Sequence, residues 1–235
     1  MCTVTFINSN GKYIITSNRD EMIARPALEP RKYFVNGQQV FYPKDSKAGG
    51  TWYAVSEKGR VVVLLNGAEE RLARKAAYRM SRGLIVLELI SAASVLQSWR
   101  NINLNEIESF TLVVFEADTL YQLQWNEVSK SETELDAAKN YIWSSATLYP
   151  KAVREQRAEW FARFVKSNPV ITESEMMTFH HYAENEDCEN GLVINRDNIL
   201  KTLSITQTII QQQKVTLNHE DLTANQQFTN TFISV

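Results

Sequence analysis

An Asn-Gly pair near the start of the chain constrains the fold more than any other feature of the sequence. Asn10 and Gly11 separate two β-rich runs, CTVTFIN and KYIITSN. The dipeptide suits both central positions of a type I′ turn, so the pattern predicts a β-hairpin with a two-residue loop. In the register that this loop sets, Cys2 lies opposite Arg19.

This register brings together groups that support nucleophilic chemistry. Directly opposed residues have Cβ atoms ~4.5–5.5 Å apart, so the Arg19 guanidinium is within reach of the Cys2 thiol, its α-amine or a substrate group. Asp20 lies one step further along, opposite Met1. Once Met1 is removed, Asp20 is a natural acceptor for the new ammonium group of Cys2. The three catalytic candidates from the hairpin are therefore Cys2, Arg19 and Asp20.

An N-terminal cysteine carries its own base. A free thiol titrates near ~8.5 and an α-amine near ~7.7–8.0, so the amine can accept the thiol proton at neutral pH. Arg19 favours the thiolate, and Asp20 orients the amine. The alternative stays open from spacing alone: cysteine is common in buried strands, and an Arg-Asp pair near a strand end is often structural.

The rest of the sequence predicts an α+β fold in one domain, residues 1–235. A second hairpin follows, with Lys58-Gly59 in its turn, which places Asn66 opposite Thr51. Alternating strand and helix patterns then indicate a four-layer α-β-β-α sandwich with antiparallel sheets. The predicted elements are a buried helix at 84–99, a strand pair at 110–125, a strand within 140–149, helices at 151–165 and 172–183, and strands chiefly at 202–217.

Composition excludes several classes of partner and cofactor. The chain has 25 basic and 27 acidic residues and a net charge of -2, which gives no broad field for nucleic acid or an anionic membrane. No apolar run reaches the ~18 residues of a membrane span, and the N-terminus lacks a secretory signal pattern. We therefore expect a cytoplasmic protein with reduced thiols, no metal, no cofactor and a small-molecule partner. The sequence does not indicate an oligomeric state.

Other polar residues give weaker signals. His180 and His181 are adjacent on a predicted helix, cannot form an i, i+4 metal pair, and are expected at the surface or in a capping role. His219 is expected in a loop. Cys188 lies in an acidic stretch that disfavours its thiolate. The basic segment 71–82 is interpreted as a solvated helix face, and the alternative is contact with an anionic substrate tail.

The string SNRDE at 17–21, together with Cys2, resembles the NRDE-motif family, which includes the transport-and-Golgi-organisation proteins. The resemblance continues in GGTWYAV (49–55), LLNG (64–67), SRG (81–83) and TLSITQ (202–207), and so covers most of the chain. That family in turn resembles the N-terminal nucleophile hydrolases of the choloylglycine-hydrolase and penicillin-acylase type. The resemblance implies the α-β-β-α sandwich and an N-terminal cysteine that attacks a linear amide.

The resemblance also implies the remaining site residues. Asn66 corresponds to an oxyanion asparagine, and Ser144 and Ser145 stand where a second asparagine is usual, which weakens the case for strong amidase activity. We assign substrate contacts to these two serines, to Asn18 of the motif and to Trp52 as a pocket wall. Arg196 is a poor match to a late supporting arginine.

Two functions remain open at the level of sequence. The first is hydrolysis of a non-peptide C–N bond in a linear amide, through an acyl-enzyme on Cys2 after Met1 removal. The alternative is a non-catalytic protein that binds or carries a lipid, an acyl-CoA or haem on the same fold.

Overall fold

The chain folds into two antiparallel sheets with helices on their outer faces. The structure is a computed structural model that describes residues 3–234, so Met1, Cys2 and Val235 lie outside the described residues. The described part contains fourteen strands and four α-helices: β1 (Thr3–Ser9), β2 (Lys12–Met22), β3 (Ala27–Val35), β4 (Gln38–Asp45), β5 (Tyr53–Ser56), β6 (Val61–Asn66), α1 (Arg82–Ile90), α2 (Val95–Asn101), β7 (Phe110–Glu116), β8 (Thr119–Trp125), β9 (Lys130–Leu135), β10 (Tyr141–Ser144), α3 (Lys151–Ser167), α4 (Glu173–Tyr182), β11 (Asn195–Arg196), β12 (Leu200–Gln211), β13 (Lys214–Asp221) and β14 (Gln226–Ile233).

The four layers follow from which elements contact each other. Sheet A has the strand order β10-β1-β2-β12-β13-β14, with β11 paired to β12, and sheet B runs in order from β3 to β9. α3 and α4 pack on sheet A, and α1 packs on β5 and β6 of sheet B and contacts α2. β1 contacts β6 and β13 contacts β3, so the sheets face each other. The predicted α-β-β-α sandwich is confirmed.

The N-terminal hairpin has the predicted turn and register. Asn10 and Gly11 have φ values of 53° and 74°, the positive values that a type I′ turn requires. Ser9 pairs with Lys12, and the pairing continues to Thr3 opposite Asn18. The predicted pairing of Cys2 lies outside the described residues.

The second hairpin has a longer turn than the sequence predicts. Ser56 donates its backbone N–H to Arg60 O at 2.9 Å, so three residues form the loop. Gly59 supplies the positive φ, 72°, that such a loop needs. The extra residue shifts the register by one, so the prediction that Asn66 lies opposite Thr51 is wrong. Asn66 still ends β6, where it pairs with β7.

The apolar helix predicted at 84–99 is two helices. Ser91 Oγ donates to Leu87 O at 2.7 Å, and Ser94 Oγ accepts the N–H of Gln97 at 3.3 Å. Serine side chains that bond nearby backbone groups compete with helical hydrogen bonds, so they end α1 and begin α2. The helix predicted for the basic segment 71–82 is also wrong: only Arg82 belongs to a helix, and residues 71–81 are irregular.

Each side of sheet A carries its own apolar core. The inner core lies between the sheets and continues beneath α1, and it contains the buried run Val61–Leu65. This run is apolar on both faces because sheet B is covered on both faces. A smaller core joins Ile7 and Ile14 of sheet A to Trp160, Met176 and other residues of the helical layer. In the part of the chain that the structure describes, no helix is long and apolar enough to cross a membrane.

Candidate active site

The start of β1 and the ends of β10 and β6 lie near one another at one end of the sandwich. Thr3, the first residue of β1, is flanked by Asn18 of β2 and Ser144 of β10. Ser145, which follows β10, donates its hydroxyl to Asn66 O at 2.9 Å. This bond joins sheet A to the last residue of β6 in sheet B. Of the predicted site residues, Asn66, Ser144 and Ser145 therefore lie together at these strand ends.

Arg19 points between the two sheets. Its side chain is 2% exposed, and its Cζ lies 4.4 Å from the centroid of the Trp52 ring. Its Nη2 donates to Arg25 O at 2.9 Å and lies 4.0 Å from Asp45 Oδ2. Stacking on an indole fixes the plane of the guanidinium in a site from which water is excluded. Trp52 is thus a wall of the site, with direct contact to a candidate catalytic residue.

Asp20 points to the other face of sheet A, because neighbouring strand residues alternate. Tyr149 donates its phenol O–H to Asp20 Oδ2 at 2.7 Å. Thr202 donates its hydroxyl to Asp20 Oδ1 at 2.5 Å. A hydrogen bond on each oxygen fixes the carboxylate plane. Asp20 and Arg19 therefore act from opposite sides of β2.

A buried arginine that the sequence analysis did not assign holds the start of β1. Arg157 of α3 is 0% exposed and donates to Thr3 Oγ1 and Gly191 O, both at 2.5 Å. Its Cζ lies 3.6 Å from the Tyr149 ring centroid. Arg196 lies on the same ring at 5.3 Å. The signal in the sequence was an arginine in the apolar stripe of helix 151–165, four residues before Phe161.

The two serines near β10 have different roles. The Ser145 hydroxyl is engaged with Asn66 O, and it also contacts Thr147 Oγ1 at 3.1 Å. The Ser144 hydroxyl is buried and has no hydrogen-bond partner among residues 3–234. Asn66 has its backbone carbonyl fixed, while its Oδ1 is also buried without a partner in the described chain. Ser145 thus fixes the backbone of Asn66, whereas the Ser144 hydroxyl contacts no polar group of the described chain.

Asn18 lies away from this space. Its Nδ2 donates to His180 O at 3.1 Å and to Leu192 O at 2.6 Å, and its Oδ1 lies 2.5 Å from His180 Nδ1. These contacts attach α4 and the loop after it to sheet A. Asn18 is 0% exposed, so in this structure its amide joins parts of the protein.

The surface or capping role predicted for His180 is wrong. The imidazole is fully buried between α4 and sheet A, and its Nε2 lies 2.7 Å from Thr5 Oγ1. Burial, with smaller contributions from the nearby His181 and Arg157, lowers the pKa of His180 to about 3. The ring is therefore neutral at physiological pH, with a polar partner for each nitrogen.

The loop predicted for His219 is also wrong, because His219 lies in β13 and is 3% exposed. Its Nδ1 lies 2.8 Å from Thr206 Oγ1. Burial lowers the pKa of His219 to about 4; Asp221 opposes this shift and Arg19 adds to it. Both histidines contact residues of other elements, and the local sequence does not indicate that either side chain is buried.

Two spaces adjoin the strand ends. A groove of about 730 Å³ runs between sheet B and the start of α3, and Leu65, Trp143, Ser144 and Tyr149 lie along it. A small chamber of about 40 Å³ lies on the side of Arg19, Trp52 and Asn66. Asn66 lies between the two spaces, because its neighbours Leu65 and Gly67 line the groove and Asn66 itself lines the chamber.

The two cysteines and the metal prediction complete the comparison with the sequence analysis. Cys2, the predicted nucleophile, lies outside the described residues. Cys188 is exposed. Within residues 3–234, no group of three or more His, Cys, Asp or Glu side chains is placed to hold a metal ion.

Comparison with known families and structures identifies proteins that are similar to this chain. The family model described as Transport and Golgi organisation 2 matches residues 1–234. Among curated proteins, no sequence matches this chain significantly.

Two solved structures with a similar fold are, by their names, a bile acid hydrolase and an acid amidase. A variant of conjugated bile acid hydrolase from Clostridium perfringens is 9% identical with a TM-score of 0.59, covering 99% of this chain and 92% of its own. A Caenorhabditis elegans orthologue of N-acylethanolamine-hydrolyzing acid amidase is 10% identical with a TM-score of 0.61, covering 89% of this chain and 92% of its own. At such identities the likeness shows the shared fold.

Proposed function

This chain belongs to the Transport and Golgi organisation 2 family and has the fold of the N-terminal nucleophile hydrolases, and from that premise we propose that it cleaves the C–N bond of a linear, non-peptide amide through an acyl intermediate on Cys2. The observation that carries the proposal is the hydrogen bond from Ser145 to Asn66 O. It fixes an asparagine of sheet B beside the strand that begins at Thr3, the residue bonded to Cys2.

The reaction begins once Met1 has been removed. The Cys2 α-amine accepts the thiol proton, and the thiolate attacks the amide carbonyl carbon. The carbonyl oxygen becomes an oxyanion that Asn66 Nδ2 and backbone N–H groups stabilise. The C–N bond then breaks as the ammonium group returns its proton to the leaving amine. Water, activated by the same amine, hydrolyses the thioester and releases the acid.

The described residues support this chemistry by holding the reacting groups in place. Arg157 binds Thr3, and Tyr149 and Thr202 bind Asp20, so β1 and the proposed acceptor of the ammonium group are fixed from the α3 side. Arg19 brings a buried positive charge on the opposite side, which favours a thiolate. Positioning of this kind is a large part of enzymatic rate acceleration.

The groove gives the substrate a place beside these groups. It has apolar walls at Leu65, Trp143 and Tyr149 and a charged rim that includes Glu69 and Lys151. A volume of about 730 Å³ suits a ligand of drug-like or larger size. The proposed substrate is therefore an amide with an apolar body. The mechanism needs a reduced thiol, so we place the protein in the cytoplasm, a location that cell fractionation would test.

Hydrolysis of a panel of linear amides tests the proposal. Cys2→Ala should abolish release of the amine, whereas Cys188→Ala, a matched control at the exposed cysteine, should retain it. Asn66→Ala should lower kcat by about 10²–10³-fold, because it removes an oxyanion donor. Activity that survives Cys2→Ala, or that Asn66→Ala leaves unchanged, would contradict the assignment.

A second candidate function is binding without turnover. Ser144 and Ser145 stand where an asparagine is usual in the hydrolases that this family resembles. Ser144 lines the groove, and its buried hydroxyl has no partner within the described chain. A hydroxyl donor beside an open groove with apolar walls suits retention of a lipid, an acyl-CoA or haem. Mass spectrometry of an organic extract of the purified protein distinguishes the two. A stoichiometric ligand in protein that hydrolyses no amide favours this function.

A further inference from the structure

The small chamber beside Arg19 is lined by residues from four motifs of the sequence. Its lining includes Arg19 and Glu21 of SNRDE, residues 50–52 of GGTW, Leu64 and Asn66 of LLNG, and residues 81–83 of SRG. These four segments come from β2, the approach to β5, β6 and the start of α1. The proposed hydrolysis uses only Arg19 and Asn66 from this set, so most of these residues have no role in it.

Three polar atoms of the chamber residues are buried without partners in residues 3–234. They are two donors, Arg25 Nε and Trp52 Nε1, and one acceptor, Asn66 Oδ1. Trp52 is 2% exposed, so its indole N–H has little access to bulk water. A buried donor that makes no hydrogen bond costs about 1–3 kcal/mol. The three atoms belong to residues that line one small space, so a ligand that reaches them there would supply their missing partners.

The N-terminus of α1 also opens on the chamber. Ser81 caps this nine-residue helix by accepting the N–H of Gly83, and Ser81, Arg82 and Gly83 all line the chamber. Gly50 and Gly83 are in backbone contact: a Cβ added at Gly50 would lie 2.4 Å from Gly83 C. Only glycine permits this approach, which brings the positive end of the helix to the chamber.

The arginines around the chamber each have a carboxylate neighbour when no ligand is bound. Arg25 contacts Glu21 at 3.5 Å and Asp45 at 2.8 Å. Arg82, which lines the chamber, contacts Glu108, which does not, at 3.0 Å. Arg19 lies 4.0 Å from Asp45 Oδ2. The attraction for an anion therefore comes from the helix end and from the two unused donors, which favours a small group that accepts hydrogen bonds with two oxygens.

We propose that this chamber is a binding subsite for a small carboxylate that carries a hydroxyl or amino group beside it. Two carboxylate oxygens accept from Trp52 Nε1 and Arg25 Nε, and the neighbouring O–H or N–H donates to Asn66 Oδ1. The volume of about 40 Å³ admits a few heavy atoms, because one water requires roughly 10–15 Å³. A phosphate ester or a ring is too large. The chamber shares Arg19 and Asn66 with the proposed hydrolysis, but binding of a carboxylate there does not require turnover of an amide.

The Trp52 indole N–H gives a direct measurement. In ¹⁵N-labelled protein, titration with glycolate, a hydroxycarboxylate, should shift the Trp52 indole signal in a saturable way. Trp52→Phe identifies that signal by its loss. The Trp125 indole, which donates to Ile107 O at 2.9 Å, is an internal control that should not move. Glycolamide, which lacks the charge, should bind at least about tenfold more weakly.

A variant that conserves the charge of Arg25 tests the role of its Nε, the atom without a hydrogen-bond partner. Arg25→Lys keeps the positive charge and removes Nε, so glycolate binding should weaken about tenfold. The titration contains no amide substrate, so loss of hydrolysis and loss of binding are distinguishable. No saturable shift of Trp52, or equal shifts with chloride at the same ionic strength, would overturn the inference and leave a chamber that holds water only.

A second probe identifies where the carboxylate comes from. N-hexanoylglycine carries its carboxylate on a linear amide. If it shifts Trp52 and also the Trp143 indole, which donates to Gln122 Oε1 at 2.7 Å on the groove side, the chamber holds the carboxylate end of a larger ligand. If glycolate binds and N-hexanoylglycine does not, the ligand is a free small acid.

Discussion

Acid sensitivity of the fold should be controlled in part by His180. In the unfolded chain the imidazole has a pKa near 6.5, and in the native structure burial lowers the pKa to about 3. As pH falls below 6.5 the unfolded state gains a proton that the native state does not bind. The stability that neutral His180 provides is therefore complete above pH 6.5 and is lost progressively toward pH 3.

The magnitude follows from the two pKa values. Each pH unit between them changes the free energy of unfolding by about 1.4 kcal/mol. Lowering the pH from 7.5 to 5 should therefore cost about 2 kcal/mol through His180 alone. The loss acts on the contacts of His180 with Thr5 and Asn18, so it should loosen β1 and β2, which carry the candidate site.

Urea unfolding of wild type and His180→Gln at both pH values isolates this contribution. Glutamine keeps a donor and an acceptor but does not titrate, so the variant should be less stable at pH 7.5 and lose about 2 kcal/mol less than wild type on acidification. His181→Gln, one residue along the same helix, is the control and should retain the His180-dependent loss. Equal acid losses in wild type and His180→Gln would refute the reasoning.

Two other substitutions test the packing around the site. Tyr149→Phe removes the phenol bond to Asp20 and should lower the free energy of unfolding by about 2 kcal/mol, since hydrogen bonds to charged groups contribute about 1.5–3 kcal/mol; an unchanged urea midpoint would contradict this. Gly50→Ala forces a Cβ to 2.4 Å from Gly83 C and should cost about 3 kcal/mol or more. The control Gly49→Ala meets no atom within 4 Å and should cost only the ~1–2 kcal/mol of its left-handed backbone, so equal thermal shifts would argue against the close contact.

Local chemistry made several elements predictable from the sequence. Asn10-Gly11 sets the first turn because few residue pairs adopt positive φ twice. The capping box at Thr172 and Glu175 begins α4 where the sequence indicates. Alternation of apolar residues predicts the sandwich because each sheet needs a partner for its apolar face.

Features that depend on distant contacts were not predictable in the same way. β9 is almost entirely exposed and β14 is an edge strand, so pairing with a neighbour stabilises them more than their own apolar pattern. The one-residue shift before Asn66 depends on a loop length that local propensity does not determine. His180, His219 and Arg157 are polar in sequence but buried in the fold, because their partners lie far away in the chain.

The candidate site also combines residues that local sequence indicates with residues that only long-range contacts reveal. Arg19, Asp20 and Asn66 follow from motifs and strand ends. The groups that hold them, such as Tyr149 and Ser145, are recognised only once β10 and α3 lie beside β1.

The most direct test is the intact mass of the protein from its native host during turnover of a linear amide. The account predicts a chain that lacks Met1, with an acyl adduct that peptide mapping locates on Cys2, that persists in Cys188→Ala and that is absent from Cys2→Ala. Retention of Met1 in the mature protein, or amide turnover with no adduct on Cys2 at any time, would contradict the proposed mechanism.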